Sequence, residues 1–265
     1  PPPSATLTLP EFEPGSLVRI RNCIDCGVEF AGLLGLCSDC SEERLSREQE
    51  AKEEARAIKR KAVWLRMCPM SYDETDWRHE GLSPVCLELA AKWTPGKRLP
   101  GIHDHNPSGS GMSLGMFGST GCGKTRAAFA ILRRHYEAGW RVFAVHSSDA
   151  WDCNQHIQGL SSAVRLQYDD NPAVKQSALE CLRKMREAHL LLIDDMGKER
   201  ANGQGIVTDA VGESIYSLME YRVARNLPTI WTCNMAAAGL EHRLGEDRGA
   251  PTLRRLRDVS YLPII

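Results

Sequence analysis

The strongest constraint on the fold of this chain is a glycine-rich segment of eight residues, placed between a mostly apolar run and a predicted helix. Residues 118–125 read Gly-Ser-Thr-Gly-Cys-Gly-Lys-Thr, after the predicted strand 113–117 and before the predicted helical stretch 126–135. Such glycines let the backbone curl so that its N–H groups point at phosphate oxygens. Lys124 can bring positive charge to the β and γ phosphates, and the Thr125 hydroxyl can ligate Mg²⁺.

The flanking strand and helix favour a phosphate-binding loop over the alternative, a glycine-rich turn formed by chance. The helix would also direct its N-terminus at the bound anion. A nucleoside triphosphate is therefore the expected ligand. The predicted nucleotide-binding residues are Gly118, Ser119, Thr120, Gly121, Cys122, Gly123, Lys124 and Thr125.

The composition is that of a soluble globular protein without a strong charge bias. The formal net charge is −1, and apolar residues make up 42% of the chain. Because basic residues are not in excess, a nucleic-acid-binding surface would have to be a local patch. We find no apolar run of about 18 residues and no signal-peptide pattern, so we expect a cytoplasmic protein without a membrane partner.

Four cysteines form two close pairs, and this spacing predicts a metal site. Cys23 and Cys26 are followed by Cys37 and Cys40, as in a tetrahedral Cys₄ zinc site. The segment 18–40 has too few apolar residues for its own core and would need such a staple. Four ligands favour a structural Zn²⁺, whereas a redox-active pair and an iron–sulfur cluster are the alternatives.

Strand and helix patterns alternate in the second half of the chain, which predicts an α/β fold with a parallel sheet covered by helices on both faces. The predicted strands are 113–117, 141–146, 189–194 and 228–233. The predicted helices are 83–92, 124–138, 174–188 and 208–225.

Polar side chains follow two of these strands. Asp194 and Asp195 end the apolar strand 189–194, and we expect Asp194 to hold Mg²⁺ together with Thr125. Asp195 would then orient or deprotonate the attacking water. Asn234 follows the next strand and could hydrogen-bond the γ-phosphate and that water, although it could equally be an ordinary turn residue.

The sequence as a whole predicts a chain of four parts. We expect a Pro-rich arm at 1–17, the Cys₄ module at 18–40, a charged linker helix at 41–67 and a P-loop ATPase domain at 68–265. The linker helix ends in a basic cluster beside Trp64, which either contacts nucleic acid or forms a solvated face. That cluster contains Lys59, Arg60, Lys61 and Arg66.

Three arginines lie on a predicted short helix near the end of the chain. Arg254, Arg255 and Arg257 fall within residues 252–257. One of them could act as an arginine finger on the γ-phosphate of a neighbouring subunit. A basic face for solubility or for DNA phosphates is the alternative.

These motifs together resemble those of the DnaC/DnaI-type helicase loaders among the AAA+ ATPases, and of the related IstB-type transposition helpers. The resemblance covers about residues 69–258. Beyond the P-loop it rests on residues 191–199, Leu-Leu-Ile-Asp-Asp-Met-Gly-Lys-Glu. It also rests on residues 215–235, which contain Tyr-Arg at 221–222, Pro-Thr-Ile at 228–230 and Asn234.

The resemblance implies a slow, partner-regulated ATPase that serves as an assembly switch. Asn234 matches the sensor position, and Arg255 matches the arginine-finger position better than Arg248 does. Asp195 stands where AAA+ proteins at large commonly have Glu, and we do not expect a full helical lid within the given 265 residues.

The resemblance also implies partners. The Cys₄ module resembles the helicase-contacting domain of DnaI-type loaders, which IstB-type helpers generally lack. We therefore expect a replicative hexameric helicase, single-stranded DNA and self-association through the ATPase domain, in the cytoplasm of a bacterial or phage-infected cell. The basic residues expected to contact DNA include Lys175, Arg183 and Lys184. A transposition helper and a nucleotide-gated adaptor with negligible turnover are the alternatives.

Overall fold

The chain divides into two compact units, Pro1–Lys61 and Ala62–Ile265. The computed structural model describes residues 20–31, 35–73, 80, 82–148, 159–199, 205–263 and 265. The Pro-rich arm expected at 1–17 lies outside these residues. The division between the units falls inside helix α1 (Ser38–Met67), which begins three residues before the predicted linker helix.

The first unit contains a small antiparallel hairpin in addition to the N-terminal part of α1. Strand β1 (Ile20–Asn22) pairs with β2 (Glu29–Ala31), with Asn22 opposite Glu29. The turn between them carries Cys23 and Cys26 and closes at Gly27, whose φ of 75° favours glycine. The sequence did not predict this hairpin, because strands of three residues show no clear alternation of apolar and polar side chains.

The second unit is a parallel sheet with helices around it. Its strands are β3 (Ser113–Phe117), β4 (Val142–His146), β5 (Leu190–Met196), β6 (Thr229–Cys233) and β7 (Ser260–Tyr261). Its helices beyond α1 are α2 (Met70–Asp73), α3 (Pro84–Lys92), α4 (Lys124–Glu137), α5 (Leu160–Leu166), α6 (Pro172–Glu187), α7 (Asp209–Val223), α8 (Ala237–Leu244) and α9 (Glu246–Val259). The strand order is β4-β5-β6-β3-β7, and every pairing in this sheet is parallel.

Strand β5, which lies between β4 and β6, explains why both faces of the sheet are covered. Its residues Leu190 and Leu192 belong to one hydrophobic cluster, whereas Leu191 and Ile193 belong to the other. Because successive side chains of a strand point to opposite faces, a continuous apolar run supplies both clusters. The predicted α/β fold is confirmed.

Trp64 belongs to the interior of the second unit. Its side chain is only 4% exposed, and its ring stacks on Tyr136 with 5.6 Å between centroids. The indole is therefore part of the core and does not supply a nucleic-acid-binding surface.

Among the described residues, no helix has the length and apolar character needed to cross a membrane.

Candidate functional site

The P-loop connects the end of β3 to the start of α4. Gly121 and Gly123 have φ values of 90° and 91°, in the left-handed region that side chains disfavour. Lys124 begins α4 and is 5% exposed, and its Nζ donates hydrogen bonds to the carbonyls of Gly118 at 2.9 Å and Ser119 at 2.7 Å. The loop backbone and the Lys124 ammonium therefore lie together at the N-terminus of a helix, as binding of a phosphate requires.

Asp194 lies directly beside the end of this loop. The Thr125 hydroxyl donates to its Oδ1 at 2.9 Å, and the Thr232 hydroxyl donates to the same oxygen at 2.6 Å. Asp194 is 2% exposed, and burial raises its pKa. A hydroxyl and a carboxylate at this separation are oxygen ligands suited to Mg²⁺, so Thr125 and Asp194 could hold that ion.

Asp195 is placed by an irregularity at the end of β5. The register between β5 and β6 shifts between Ile193 and Met196, and Asp195 has a φ of 57°. Such bulges redirect a side chain and are frequent next to active sites. The Asp195 N–H donates to the Thr232 hydroxyl at 2.8 Å, so one threonine contacts both aspartates.

Three side chains hold the Asp195 carboxylate. Asn234 Nδ2 donates to Oδ1 at 2.7 Å, Lys198 Nζ lies 2.7 Å from Oδ2, and His146 Nε2 lies 3.6 Å from Oδ2. The interaction with His146, followed by that with Lys198, lowers the pKa of Asp195 to about 2. A carboxylate with so low a pKa is a weak base, so this arrangement suits orienting a water better than taking its proton.

Sequence reasoning missed His146, Thr232 and Lys198. His146 is the last residue of β4 and pairs in register with Asp194. The carboxyl ends of parallel strands meet at one edge of the sheet, so the polar residue ending β4 could have been expected there. The contacts of Thr232 and Lys198 with the aspartates depend on strand register and on the bulge, which the sequence motifs do not specify.

The predicted arginines lie on α9, against α7. Arg255 pairs with Glu220, and its guanidinium lies 4.8 Å from the centre of the Tyr216 ring. Arg248 pairs with Asp209 at 3.1 Å and with Glu213 at 3.0 Å. Arg254 and Arg257 are exposed.

The basic residues expected to contact DNA lie on α6. Arg183 pairs there with Glu180 at 2.8 Å and also with Glu187. Lys184 lies 3.6 Å from Glu180. Glutamates therefore already neutralise part of this basic surface.

The predicted Cys₄ cluster is present in the first unit. The sulfur atoms of Cys23, Cys26, Cys37 and Cys40 all lie within 4.8 Å of one another, and those of Cys26 and Cys37 are 3.7 Å apart. Tetrahedral zinc with Zn–S bonds of about 2.3 Å places its sulfurs about 3.8 Å apart, so the cluster fits this ion.

The ionisation of these thiols supports the same fit. Backbone hydrogen bonds, first from Cys37 and then from Cys26, lower the pKa of Cys23 to about 6. The sulfurs of Cys26, Cys37 and Cys23 raise the pKa of Cys40. Neighbouring thiolates repel one another, and a bound metal cation would deprotonate its thiol ligands and offset that repulsion.

In the second unit, a glycine-rich loop after β3 and carboxylates at the end of β5 share the carboxyl edge of one parallel sheet. This is the arrangement of P-loop nucleotide-binding α/β proteins. No protein-family model matches the chain, and no curated protein matches it.

Several solved structures are similar to this chain. The crystal structure of DnaI has 21% identity over 77% of this chain and 93% of that chain, with a TM-score of 0.47. The structure of the DnaC helicase loader has 19% identity over 74% of this chain and 99% of that chain, with a TM-score of 0.48. The replication initiator DnaA bound to AMPPCP and single-stranded DNA has 14% identity, covers 74% of this chain and 51% of that chain, and has a TM-score of 0.48.

Proposed function

We propose that this chain is an ATP-dependent helicase loader that uses ATP binding and hydrolysis as an assembly switch during the initiation of DNA replication. One observation carries the ATP part of this proposal. A continuous line of hydrogen bonds runs from Thr125 through Asp194 and Thr232 to Asp195, and ends at Asn234. The line joins the P-loop, both acidic residues and the sensor position in one site.

The residues of this site would have separate roles in binding and hydrolysing ATP. The N–H groups of the loop 118–123 and the Lys124 ammonium bind the phosphates. Mg²⁺, held by Thr125 and Asp194, would neutralise charge on the phosphate oxygens. Asp195 orients the attacking water, and Asn234, bonded to Asp195, is placed to respond to the γ-phosphate.

The state of Asp195 supports slow turnover. Its carboxylate is already occupied by Lys198, Asn234 and His146, and its pKa lies near 2. A carboxylate with so low a pKa is a poor base, so it would take a proton from the attacking water only slowly. We therefore assign this chain the kinetics of a switch, with hydrolysis accelerated by a partner or by DNA.

Self-association and Arg255 form the next part of the proposal. An arginine that completes the site of another copy needs a free guanidinium at the subunit boundary. Arg255 would have to leave Glu220 and Tyr216 to serve in this way. When subunits assemble with bound ATP, Arg255 would thus exchange its ion pair with Glu220 for one with the γ-phosphate bound to the neighbouring subunit.

The Cys₄ cluster supports the choice of partner. We assign it a structural Zn²⁺, which would stabilise a unit whose described apolar residues include the exposed Ile20, Ile24 and Val28. Together with the resemblance to DnaI-type loaders, this unit supports a replicative hexameric helicase as the partner, while the ATPase domain engages single-stranded DNA.

The test uses the full chain with the replicative helicase encoded in the same genome. We expect the two proteins to co-elute from a size-exclusion column, and we expect higher affinity for a single-stranded oligonucleotide with a non-hydrolysable ATP analogue than with ADP. If the chain bound neither the helicase nor single-stranded DNA, the loader function would be refuted. Preference for duplex DNA would instead favour a transposition helper, and hydrolysis insensitive to Asp195→Ala would favour a nucleotide-gated adaptor.

A further inference from the structure

Glu199 is a buried carboxylate close to the candidate ATP site. The proposed chemistry does not use this carboxylate. It follows Asp195 by four positions, and its side chain is 1% exposed. Its Oε2 accepts the N–H of Gly197 at 2.8 Å. In the described part of the chain, its Oε1 is buried without a hydrogen-bond partner.

Such a residue is poorly explained by stability alone. Burying a carboxylate is unfavourable, and a carboxylate oxygen without a donor adds to that penalty. An apolar side chain of the same size would fill the space without this penalty. The interactions that favour the Glu199 carboxylate are the charge of Arg243 and backbone hydrogen bonds, one of which is the hydrogen bond with Gly197.

That hydrogen bond closes a strained turn. Asp195 has a φ of 57° and Gly197 a φ of 99°, and a Cβ on Gly197 would lie 2.6 Å from Met235 Sδ. A non-glycine residue in the left-handed region persists only where its surroundings hold it there. The Gly197–Glu199 bond and the bond from Lys198 N to Asp195 O, at 3.1 Å, are such restraints.

The same turn sets the side chains around the reacting groups. It brings Lys198 Nζ to 2.7 Å from Asp195 Oδ2, while Asn234 holds the other oxygen. Glu199 is itself anchored, because Arg243 Nη2 donates to its backbone carbonyl at 2.8 Å. Hydrogen bonds thus connect α8 through Glu199 to the turn that carries Asp195.

We propose that Glu199 is a positioning residue for ATP hydrolysis, which fixes the turn 195–198 and thereby aims the Asp195 carboxylate. The inference rests on the proposed ATPase function and adds to it a residue that contacts neither nucleotide nor metal. Its effect should fall on turnover, because the P-loop that binds the phosphates is a separate segment.

Two variants of similar size test this role. Glu199→Gln keeps an oxygen that can accept the Gly197 N–H, whereas Glu199→Leu removes every acceptor. We expect Leu to lower kcat by about tenfold or more, since small displacements of catalytic groups have effects of this order. We also expect Leu to leave the Kd for a non-hydrolysable ATP analogue unchanged and the thermal midpoint unchanged or higher. We expect Glu199→Gln to retain most of the wild-type kcat.

The outcomes separate this inference from the proposed function. Equal hydrolysis by the wild type and Asp195→Ala would refute the ATPase role of Asp195. Loss of hydrolysis in Asp195→Ala but full kcat in Glu199→Leu would overturn the positioning role alone, as would equal losses in Leu and Gln or a parallel loss of nucleotide affinity. If the Leu variant does not fold, amide exchange in the wild type decides, because a freely exchanging Gly197 N–H would exclude the hydrogen bond to Glu199.

Discussion

Replacement of Arg222 should destabilise the second unit strongly, although this residue lies far along the chain from the P-loop. Arg222 is 1% exposed at the end of α7. Among the described residues, the guanidinium has no carboxylate partner. It donates instead to oxygens at the end of α6 and at the start of β6, which precede and follow β5 in the sequence. These acceptors are the Thr229 hydroxyl and the carbonyls of Met185, Arg186, Ala188 and Pro228.

The magnitude follows from these acceptors. Arg222→Met keeps an apolar stem and removes every donor, so several buried carbonyls lose their hydrogen bonds. Each buried acceptor left unsatisfied costs about 1–3 kcal/mol, although the variant no longer has to bury a charge. We expect a net loss of about 3–5 kcal/mol, as when one partner of a buried charged network is removed. For a unit of this size that loss corresponds to a fall in Tm of about 6–20 °C.

Urea unfolding followed by tryptophan fluorescence measures this loss. Arg225→Met is the matched control, because the exposed Arg225 packs over the Tyr221 ring at 3.8 Å and should contribute less than about 1 kcal/mol. If Arg222→Met unfolded at the same urea concentration as the control, the carbonyls would have other donors and the reasoning would be wrong.

Three further predictions concern the metal, the pH dependence and the subunit contact. Metal analysis should find one zinc per chain, and Cys37→Ser should lose it; a full zinc content in that variant would contradict the Cys₄ assignment. Burial lowers the pKa of His135, so the unfolded chain binds a proton more readily than the folded one. The free energy of unfolding should therefore fall as the pH drops below about 6.5, and His135→Leu should flatten this part of the profile; an unchanged slope would contradict it. Arg255→Ala should lower ATP hydrolysis at concentrations where subunits associate while Arg248→Ala has a smaller effect, and the reverse order would assign the finger to Arg248.

The parts of the fold that the sequence predicted are those in which one segment encodes one element. The continuous apolar run of β5 identifies an interior strand of the sheet, because a strand buried on both faces needs apolar side chains throughout. The spacing of Cys23, Cys26, Cys37 and Cys40 likewise identified the sulfur cluster, because all four ligands lie within one short segment.

What escaped prediction depends on how separate segments meet. The positions of His146 and Thr232 follow from strand register, and the orientation of Asp195 follows from a bulge at the end of β5. The two-residue strand β7 is too short to show any alternation. Pairwise geometry of this kind is set by packing of the whole sheet, which a single sequence does not reveal.

In the proposed function, the P-loop and the acidic end of β5 form one site for ATP. The most direct test is a titration of a fluorescent ATP analogue, with Mg²⁺, into the wild type, Lys124→Ala and the control Lys92→Ala, whose exposed ammonium pairs with Glu88 at 2.9 Å. We predict saturable binding by the wild type and the control, and affinity at least about tenfold weaker, or about 1.4 kcal/mol, for Lys124→Ala. Equal affinity in all three proteins would contradict the assignment of this site.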